Sequence, residues 1–430
     1  MDHSERPMLR TPPPPAEAAE GGVPRAARAS VGALAMLVLV GLNLRPFLTS
    51  IGPVLDIVRH DTGLAFRSAA LLTTLPFVLM GVIAWFGFGL AGRFGERRSL
   101  AVSLSLLVAG CALRGWLDSG TSLIVSAGIA GTGVAMIQAL MPGVTKHWFP
   151  ARVPLAMGLY SASLVGGGAI GAAASPWLAA HAGWHFALAI WAVPALCVLA
   201  LWLTSAPRDT AAIAGKPPSV ARFARNPRAW QLAAYFGLAN SGFSSLVTWL
   251  PSFYRQLGTS PQASGNLLAW MAVCQATSAF VMPMLARRSD DRRSVLWLTM
   301  GLQSAGFAGL AMLPGFSPLL WVACAGLGLG GFFSLSLIVT LDHLHDARHA
   351  GALAAFVQGV GFLIAACGPW LVGWLRDAGA SFTTAWLMHL AIVFLMAGLT
   401  AVFSPASYGR SMKGMGATAA CRRSEHQNTH

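Results

Sequence analysis

Apolar stretches about twenty residues long, parted by short polar breaks, fill this chain from residue 29 to residue 403. A helix rises 1.5 Å per residue, so roughly 20 mostly apolar residues cross the hydrocarbon core of a bilayer. The spacing predicts crossings at 29–58, 67–91, 99–117, 121–146, 153–179, 184–204, 229–253, 262–286, 294–313, 317–341, 350–375 and 381–403. In lipid each segment must satisfy its own backbone, which makes it helical. The expected class is an all-α polytopic membrane protein with twelve transmembrane helices. Only 10% of the residues are charged, against roughly 25% in a soluble domain, and this excludes an ordinary soluble enzyme.

The polar breaks divide the chain. Residues 1–28, with the run Pro12–Pro15 and mixed charges, read as a disordered cytoplasmic tail rather than a signal peptide. A six-helix bundle is expected over 29–204, a linker rich in proline and arginine over 205–228, a second six-helix bundle over 229–403, and a polar cytoplasmic tail over 404–430. Most of the 29 Lys and Arg fall on one side of the predicted spans. Arg59, Arg67, Arg114, Arg255 and Arg376 fall on the other, and Arg45 lies within the first span. Cytoplasmic loops carry such an excess, so both termini are expected inside, in the inner (plasma) membrane. The net charge of +14 is then a topology signal against anionic headgroups, not a nucleic-acid footprint.

The loop AGRFGERRSL (91–100) has a counterpart in ARRSDDRRSV (286–295). Arg93, Arg97, Arg98 and Ser99 recur as Arg288, Arg292, Arg293 and Ser294, each time after the second helix of a six-helix half. Parallel six-helix repeats typify one group of secondary transporters. Twelve helices in two halves, with Arg93-x-Gly95-x-Arg97-Arg98 between helices two and three, resemble the major facilitator superfamily. Phe88 and Gly92 stand where that family's loop motif has a glycine and an acid, and Asp290 replaces the glycine in the second copy. Further segments, GLNLRP (41–46), LLTTLP (71–76), LMPGV (140–144), TWLP (248–251), HDARHA (345–350) and QGVG (358–361), resemble the cyanate permease and 2-nitroimidazole transporter family from about residue 36 to 403. Gln138 and the pair Trp184-His185 depart from it, where asparagine and Trp-Arg are usual. The resemblance implies a major facilitator fold and transport of small anionic or polar nitrogenous solutes.

Arg45 is the most informative residue. A charged side chain near the middle of a membrane helix costs about 2.5–3.5 kcal/mol or more, and the 15 acids all fall at or beyond the predicted membrane edges. Pro46 follows, lacks an N–H, and leaves the Leu42 carbonyl without its helical donor. A broken helix beside a cation suits a transport site, and a guanidinium fork suits small planar anions. Arg45 is expected to contact substrate or else to bridge helices. Gln138, Tyr160 with Ser161, Asn240, Gln275 and Gln358 lie at comparable depth and are candidates to complete the cavity.

Other features have plainer readings. Gly166–Gly168 with Gly171 reads as helix packing, since no Lys-Ser/Thr follows to make a phosphate loop. Trp249 and Tyr254 read as an interfacial belt, His389 as a satisfied bundle histidine, and the inner segment Asp342–His349 as a solvated loop. The six cysteines show no disulfide or zinc spacing. No metal, cofactor, nucleic acid or protein partner is implied, and the expected partners are a solute, the bilayer and, in one version, a co-transported proton. With no carboxylate at mid-membrane, export of cations against protons is excluded, leaving facilitated diffusion, anion exchange or proton–anion symport. The rival class is a polytopic membrane enzyme or sensor built on Asp342–His349.

Overall fold

The computed structural model describes residues 25–149, 152–205, 220–287, 291–344 and 346–412. Among them there is no strand. In chain order the helices are α1 (Arg25–Asn43), α2 (Pro46–Thr49), α3 (Ile51–Thr62), α4 (Phe66–Phe94), α5 (Glu96–Leu113), α6 (Gly120–Trp148), α7 (Val153–Ala189), α8 (Ala192–Ser205), α9 (Pro227–Gln256), α10 (Pro261–Ala286), α11 (Arg293–Met312), α12 (Pro318–Asp342), α13 (Ala347–Asp377), α14 (Phe382–Ala401) and α15 (Tyr408–Ser411). Most of the expected tails and linker lies outside the described residues, though α1 already begins at Arg25, within the segment expected as tail.

Nine described segments are long and apolar enough to cross a membrane. One of them, Leu155–Ser205, crosses twice. Its reversal is at Gly183, whose φ of 81° is a left-handed conformation that side-chain-bearing residues avoid. Beyond it, His185 Nε2 lies 3.0 Å from Asp118, past the end of α5, while Trp202 Nε1 donates to the Arg97 carbonyl at the start of α5 (3.0 Å). The segment therefore runs back antiparallel to α5. α5 and α9 complete the twelve. They are less apolar because α5 opens on Glu96-Arg97-Arg98 and α9 buries Asn240, Ser241, Ser244, Ser245 and Thr248 inside the bundle.

Helix starts follow local chemistry. Ser119, Ser260 and Ser381 accept from the backbone N–H three residues on, at 3.2, 3.2 and 3.4 Å, and Asn226 accepts from Arg228 and Ala229 at 2.8 and 3.3 Å. Each satisfies a donor that a helix N-terminus leaves free. Large apolar side chains such as Trp116, Phe280, Phe316 and Leu319 point outward, as a lipid-facing surface requires. Trp249 and Tyr254 do not belong to that surface. Both are buried, with Trp249 Nε1 donating to the Pro369 carbonyl (2.9 Å) and Tyr254 packed on Phe253, so the expected interfacial belt is corrected to core. Their polar tips find carbonyls within the second bundle, and neither needs the headgroup region.

The repeat is visible in how helices pair. In the first half the first span packs on α7, α4 on α6, α5 on α6 and α5 on α8; in the second, α9 packs on α13, α10 on α12, α11 on α12 and α11 on α14. These are the same pairs, shifted by six spans. The halves meet along α4–α13 and α7–α10, which the same shift interconverts.

The end opposite the arginine-rich loops is closed. Both carboxylate oxygens of Asp377 accept from the first N–H groups of α4, those of Phe66 (2.9 Å) and Arg67 (3.0 Å). Ser252 donates to Asp56 (2.9 Å), Gln262 to the Ala173 carbonyl (2.9 Å), and the hydroxyls of Thr73 and Thr248 are 2.7 Å apart. Each of these contacts joins the two halves. Toward the basic end, by contrast, α1 packs on α7 and α8 of its own half.

At the basic end the second half is braced by Arg228. Its guanidinium donates to His343 Nε2 (3.2 Å), the Val402 carbonyl (2.9 Å) and Ser407 Oγ (2.7 Å), while His343 Nδ1 is 2.6 Å from the Val339 carbonyl and the ring stacks on Tyr408 at 4.0 Å. Donation from Nδ1 and acceptance at Nε2 require the neutral imidazole. Burial above all, with the Arg228 charge adding to it against the pull of the Val339 carbonyl, pushes His343 down to about 4. Unfolded, the ring takes a proton near 6.5. Stability from this group is thus complete above about pH 6.5 and falls as pH drops toward 4, by up to about 3 kcal/mol. Thermal unfolding in detergent should show that acid-side loss in the native chain and a shallower one in His343→Gln; equal slopes would remove His343 from the brace.

Candidate functional site

The first span is broken where the sequence places its proline. α1 ends at Asn43, Leu44 N–H bonds the Gly41 carbonyl in a tightened turn (3.1 Å), and Arg45 is the residue before α2. Two short helices, α2 and α3, carry the span onward. The break is seated on the glycine run of α7. A side chain at Gly167 would collide with the Leu42 carbonyl, the one Pro46 leaves without a donor; one at Gly168 would meet Arg45 Cβ at 3.2 Å, and one at Gly171 the Pro46 Cα at 2.8 Å. Thr49 Oγ1 donates to the Gly168 carbonyl (2.8 Å), fastening the two segments. The glycines are a packing surface whose effect is to hold the backbone around Arg45 against α7.

Arg45 itself reaches into a cavity between the halves. Arg45, Thr49, Val165 and Gly168 line it from the first half, and Phe243, Val247, Leu268, Met271, Ala272 and Gln275 from the second. Its volume, taken as room for the centre of a water-sized sphere, is about 20 Å³, where one water needs roughly 10–15 Å³. The cavity thus has room for one or two water-sized groups. Arg45 Nε has no hydrogen-bond partner, and no described carboxylate lies within ion-pairing distance of the guanidinium. Its Cζ sits 5.0 Å from the centre of the Phe243 ring. The Tyr160 hydroxyl, also without a partner, is near enough to interact electrostatically.

Of the residues singled out in the sequence, the structure brings Arg45 and Gln275 together on this cavity, with Tyr160 off its wall but within electrostatic reach of Arg45. Gln138, with its side-chain nitrogen buried and unpartnered, lies off the cavity wall. Asn240 turns back to the Phe236 carbonyl of its own helix (2.8 Å), and Gln358 is half-buried on α13 away from the cavity. Sequence reasoning passed over Phe243 and Thr49. The available signal was position: Phe243 lies one turn beyond Asn240 on α9, where an aromatic face could answer the unpaired cation.

Arg114, counted from the sequence among the arginines of the far side, is 1% exposed. It donates to the Phe47 carbonyl (2.7 Å) and braces the broken span against α6 through Ser126 (3.4 Å). His389 is likewise not satisfied as expected: it is buried against Phe307 with neither ring nitrogen bonded. In the Asp342–His349 segment, expected as a solvated loop, Asp342 and Asp346 are exposed and His345 lies outside the described residues, but His343 belongs to the Arg228 brace and His349 is buried with Nδ1 on Asp346 (2.9 Å). Among the described residues no group of three or more His, Cys, Asp or Glu is placed to hold a metal ion. In the repeated loops Gly95 precedes α5, Arg98 is exposed, Arg97 donates to the Leu203 carbonyl, Arg292 pairs with Asp342 (3.5 Å) and Arg293 with Asp291 (2.6 Å). The side chain of Arg93 and all of Arg288 lie outside the described residues.

Comparison with known proteins follows the geometry. Residues 33–369 match the Major Facilitator Superfamily. The chain is 45% identical over 376 residues to the "Cyanate transport protein CynX" of Escherichia coli (strain K12), covering 87% of this chain and 98% of that protein. It is 30% identical over 366 residues to the "2-nitroimidazole transporter" of the same organism, covering 84% and 92%. A solved structure of a bacterial homologue of the human lysosomal transporter Spinster superposes with a TM-score of 0.70 at 16% identity, covering 93% of this chain and 100% of that one.

Adding a methyl group at Gly167 should lift α7 off the Leu42 carbonyl. Gly167→Ala is expected to cost about 1–3 kcal/mol, read as a lowered unfolding midpoint in detergent, whereas Gly143→Ala, which meets nothing within 4 Å, should leave it unchanged.

Proposed function

The chain belongs to the major facilitator superfamily, and from that premise we propose that it carries a small, linear or planar anion of the cyanate kind, bound at Arg45. It is a transmembrane solute transporter, not an enzyme, and works by alternating access. The observation that carries the anion reading is Arg45 Nε, buried and unpartnered beside a small cavity between the halves. An anion accepting two hydrogen bonds from the guanidinium fork supplies the counter-charge the fold withholds. Gln275 stands on the same cavity as a neutral donor for its other end, and the Tyr160 hydroxyl is within electrostatic reach of Arg45. The 45% identity to a cyanate transport protein supports the same substrate class.

On this reading the two bundles, 29–204 and 229–403 joined by the linker 205–228, rock about the cavity. The basic end faces the cytoplasm together with both termini, following the positive-inside rule, and the closed end faces outward. Arg97, Arg292 and Arg293 then act at the cytoplasmic loops by holding each half together, with Arg98 exposed beside them. No protein partner enters the cycle, and a proton accompanies the anion only if symport applies.

Uptake of labelled cyanate into proteoliposomes, with and without an imposed pH gradient, tests this. Arg45→Gln should reduce uptake at least tenfold, the scale of a lost charged hydrogen-bond pair, and Arg45→Lys should fall between, keeping charge but not the fork. Unchanged uptake in Arg45→Gln removes the anion from Arg45 and favours a neutral solute. Stimulation by an inward proton gradient indicates symport; indifference indicates exchange or facilitated diffusion.

A further inference from the structure

We propose that Phe243 stands in for the anion: its ring face carries the Arg45 charge through the dehydrated stage of the cycle when the transporter is empty. The inference rests on the anion-transport reading above and goes beyond it to the return step. A carrier that delivers its anion must reorient without it, and at the midpoint of that motion the site is shut to water at both ends. Arg45 then holds a positive charge in a low-dielectric interior with no carboxylate in ion-pairing distance. A barrier of this kind would stop the empty carrier.

Three observations point to Phe243 as the group that lowers it. Its ring centre is 5.0 Å from Arg45 Cζ, within the range of a cation–π contact. It comes from α9, in the half opposite Arg45, so the contact spans the moving interface at the level of the cavity. It is also held there: Phe77 of α4 meets the ring edge-on at 6.5 Å, so a side chain of the second half is gripped between two elements of the first. Cation–π attraction is several-fold stronger desolvated than in water. The ring therefore favours the dehydrated intermediate over either water-filled end state, which is the condition for speeding reorientation rather than trapping one state. When an anion is bound the guanidinium is neutralised directly and the ring contributes little.

Net uptake and exchange should therefore separate. Phe243→Leu keeps an apolar side chain of similar reach but no ring face, while Phe243→Trp keeps the face. In proteoliposomes, entry of labelled cyanate into empty vesicles requires the empty return, and entry into vesicles preloaded with unlabelled cyanate does not. We expect Phe243→Leu to lower the ratio of net entry to exchange roughly tenfold, whatever the change in exchange itself, and Phe243→Trp to restore that ratio. Equal loss of both fluxes in Phe243→Leu, or loss of neither, overturns the proposal. A second measurement needs no substrate. In a background with the native cysteines replaced, Ser252→Cys, at the closed interface between the halves, is labelled by a membrane-impermeant thiol reagent only when the empty carrier opens that end. Phe243→Leu should slow this labelling about as much as net entry and Phe243→Trp should not; unchanged labelling in Phe243→Leu overturns the proposal. If the parent moves no anion in either flux assay, the anion reading fails, and the labelling comparison still decides the role of Phe243.

Discussion

One uncompensated positive charge inside a bilayer organises this molecule. Placing Arg45 on the first span costs about 2.5–3.5 kcal/mol or more, and the fold does not relieve it with an acid. It surrounds the charge instead with weaker partners: an aromatic face at 5.0 Å, a tyrosine hydroxyl within electrostatic reach, and a cavity with room for one or two water-sized groups. A bound carboxylate side chain would neutralise Arg45 permanently and leave nothing for a substrate to do. Partial compensation keeps the chain foldable and, on the proposed reading, preserves the affinity of the site for an anion.

That arrangement needs a backbone that can be broken without loss of order. Pro46 interrupts the span, α2 and α3 resume it, and the glycine run of α7 lets a second backbone close on the gap. Arg114 adds a donor to the Phe47 carbonyl on the other side of the break. Irregular backbone at membrane depth is tolerated only where protein or a polar cavity covers it, and here α7 on one side and Arg114 on another do so. The first half therefore presents Arg45 on a rigid mount, while the second half contributes Phe243, Met271 and Gln275 from α9 and α10. Motion between the halves changes the surroundings of the charge without moving its support.

Different parts of this were legible in the sequence for different reasons. The spans were legible because lipid demands long apolar helices, and even α5 and α9, whose polar residues weaken the pattern, were placed correctly by their spacing between breaks. Arg45 was legible because a charge inside an apolar run is conspicuous in one dimension. Gln275 shares its cavity, but Gln138, Asn240 and Gln358 had the same polarity and depth and face elsewhere. Depth is encoded along the chain, whereas the direction a helix faces depends on neighbours far away in sequence. Phe243 escaped notice because one phenylalanine among 22 carries no local mark, and its meaning arises only from a cation on another half. Trp249, Tyr254 and His343 misled for the converse reason: aromatic or ionisable residues near a helix end resemble surface residues until a partner such as Pro369 or Arg228 is seen to bury them.

The charge at Arg45 also bears on energetics. On the proposed reading the anion moves and the cation does not, since Arg45 sits near the level about which the halves turn. Inward passage of one negative charge against an interior at about −100 mV is opposed by about 2.3 kcal/mol, and nothing described at the cavity offers a carboxylate to bring in a proton. An exchange of one anion for another of equal charge escapes this opposition entirely, whereas net entry must draw on a concentration gradient and requires the empty carrier to return. A site whose guanidinium is fully exposed to the dehydrated barrier would be confined to exchange; one whose guanidinium rests on an aromatic face can do both. On that reading the balance between the two modes is set by a neutral side chain that never carries charge.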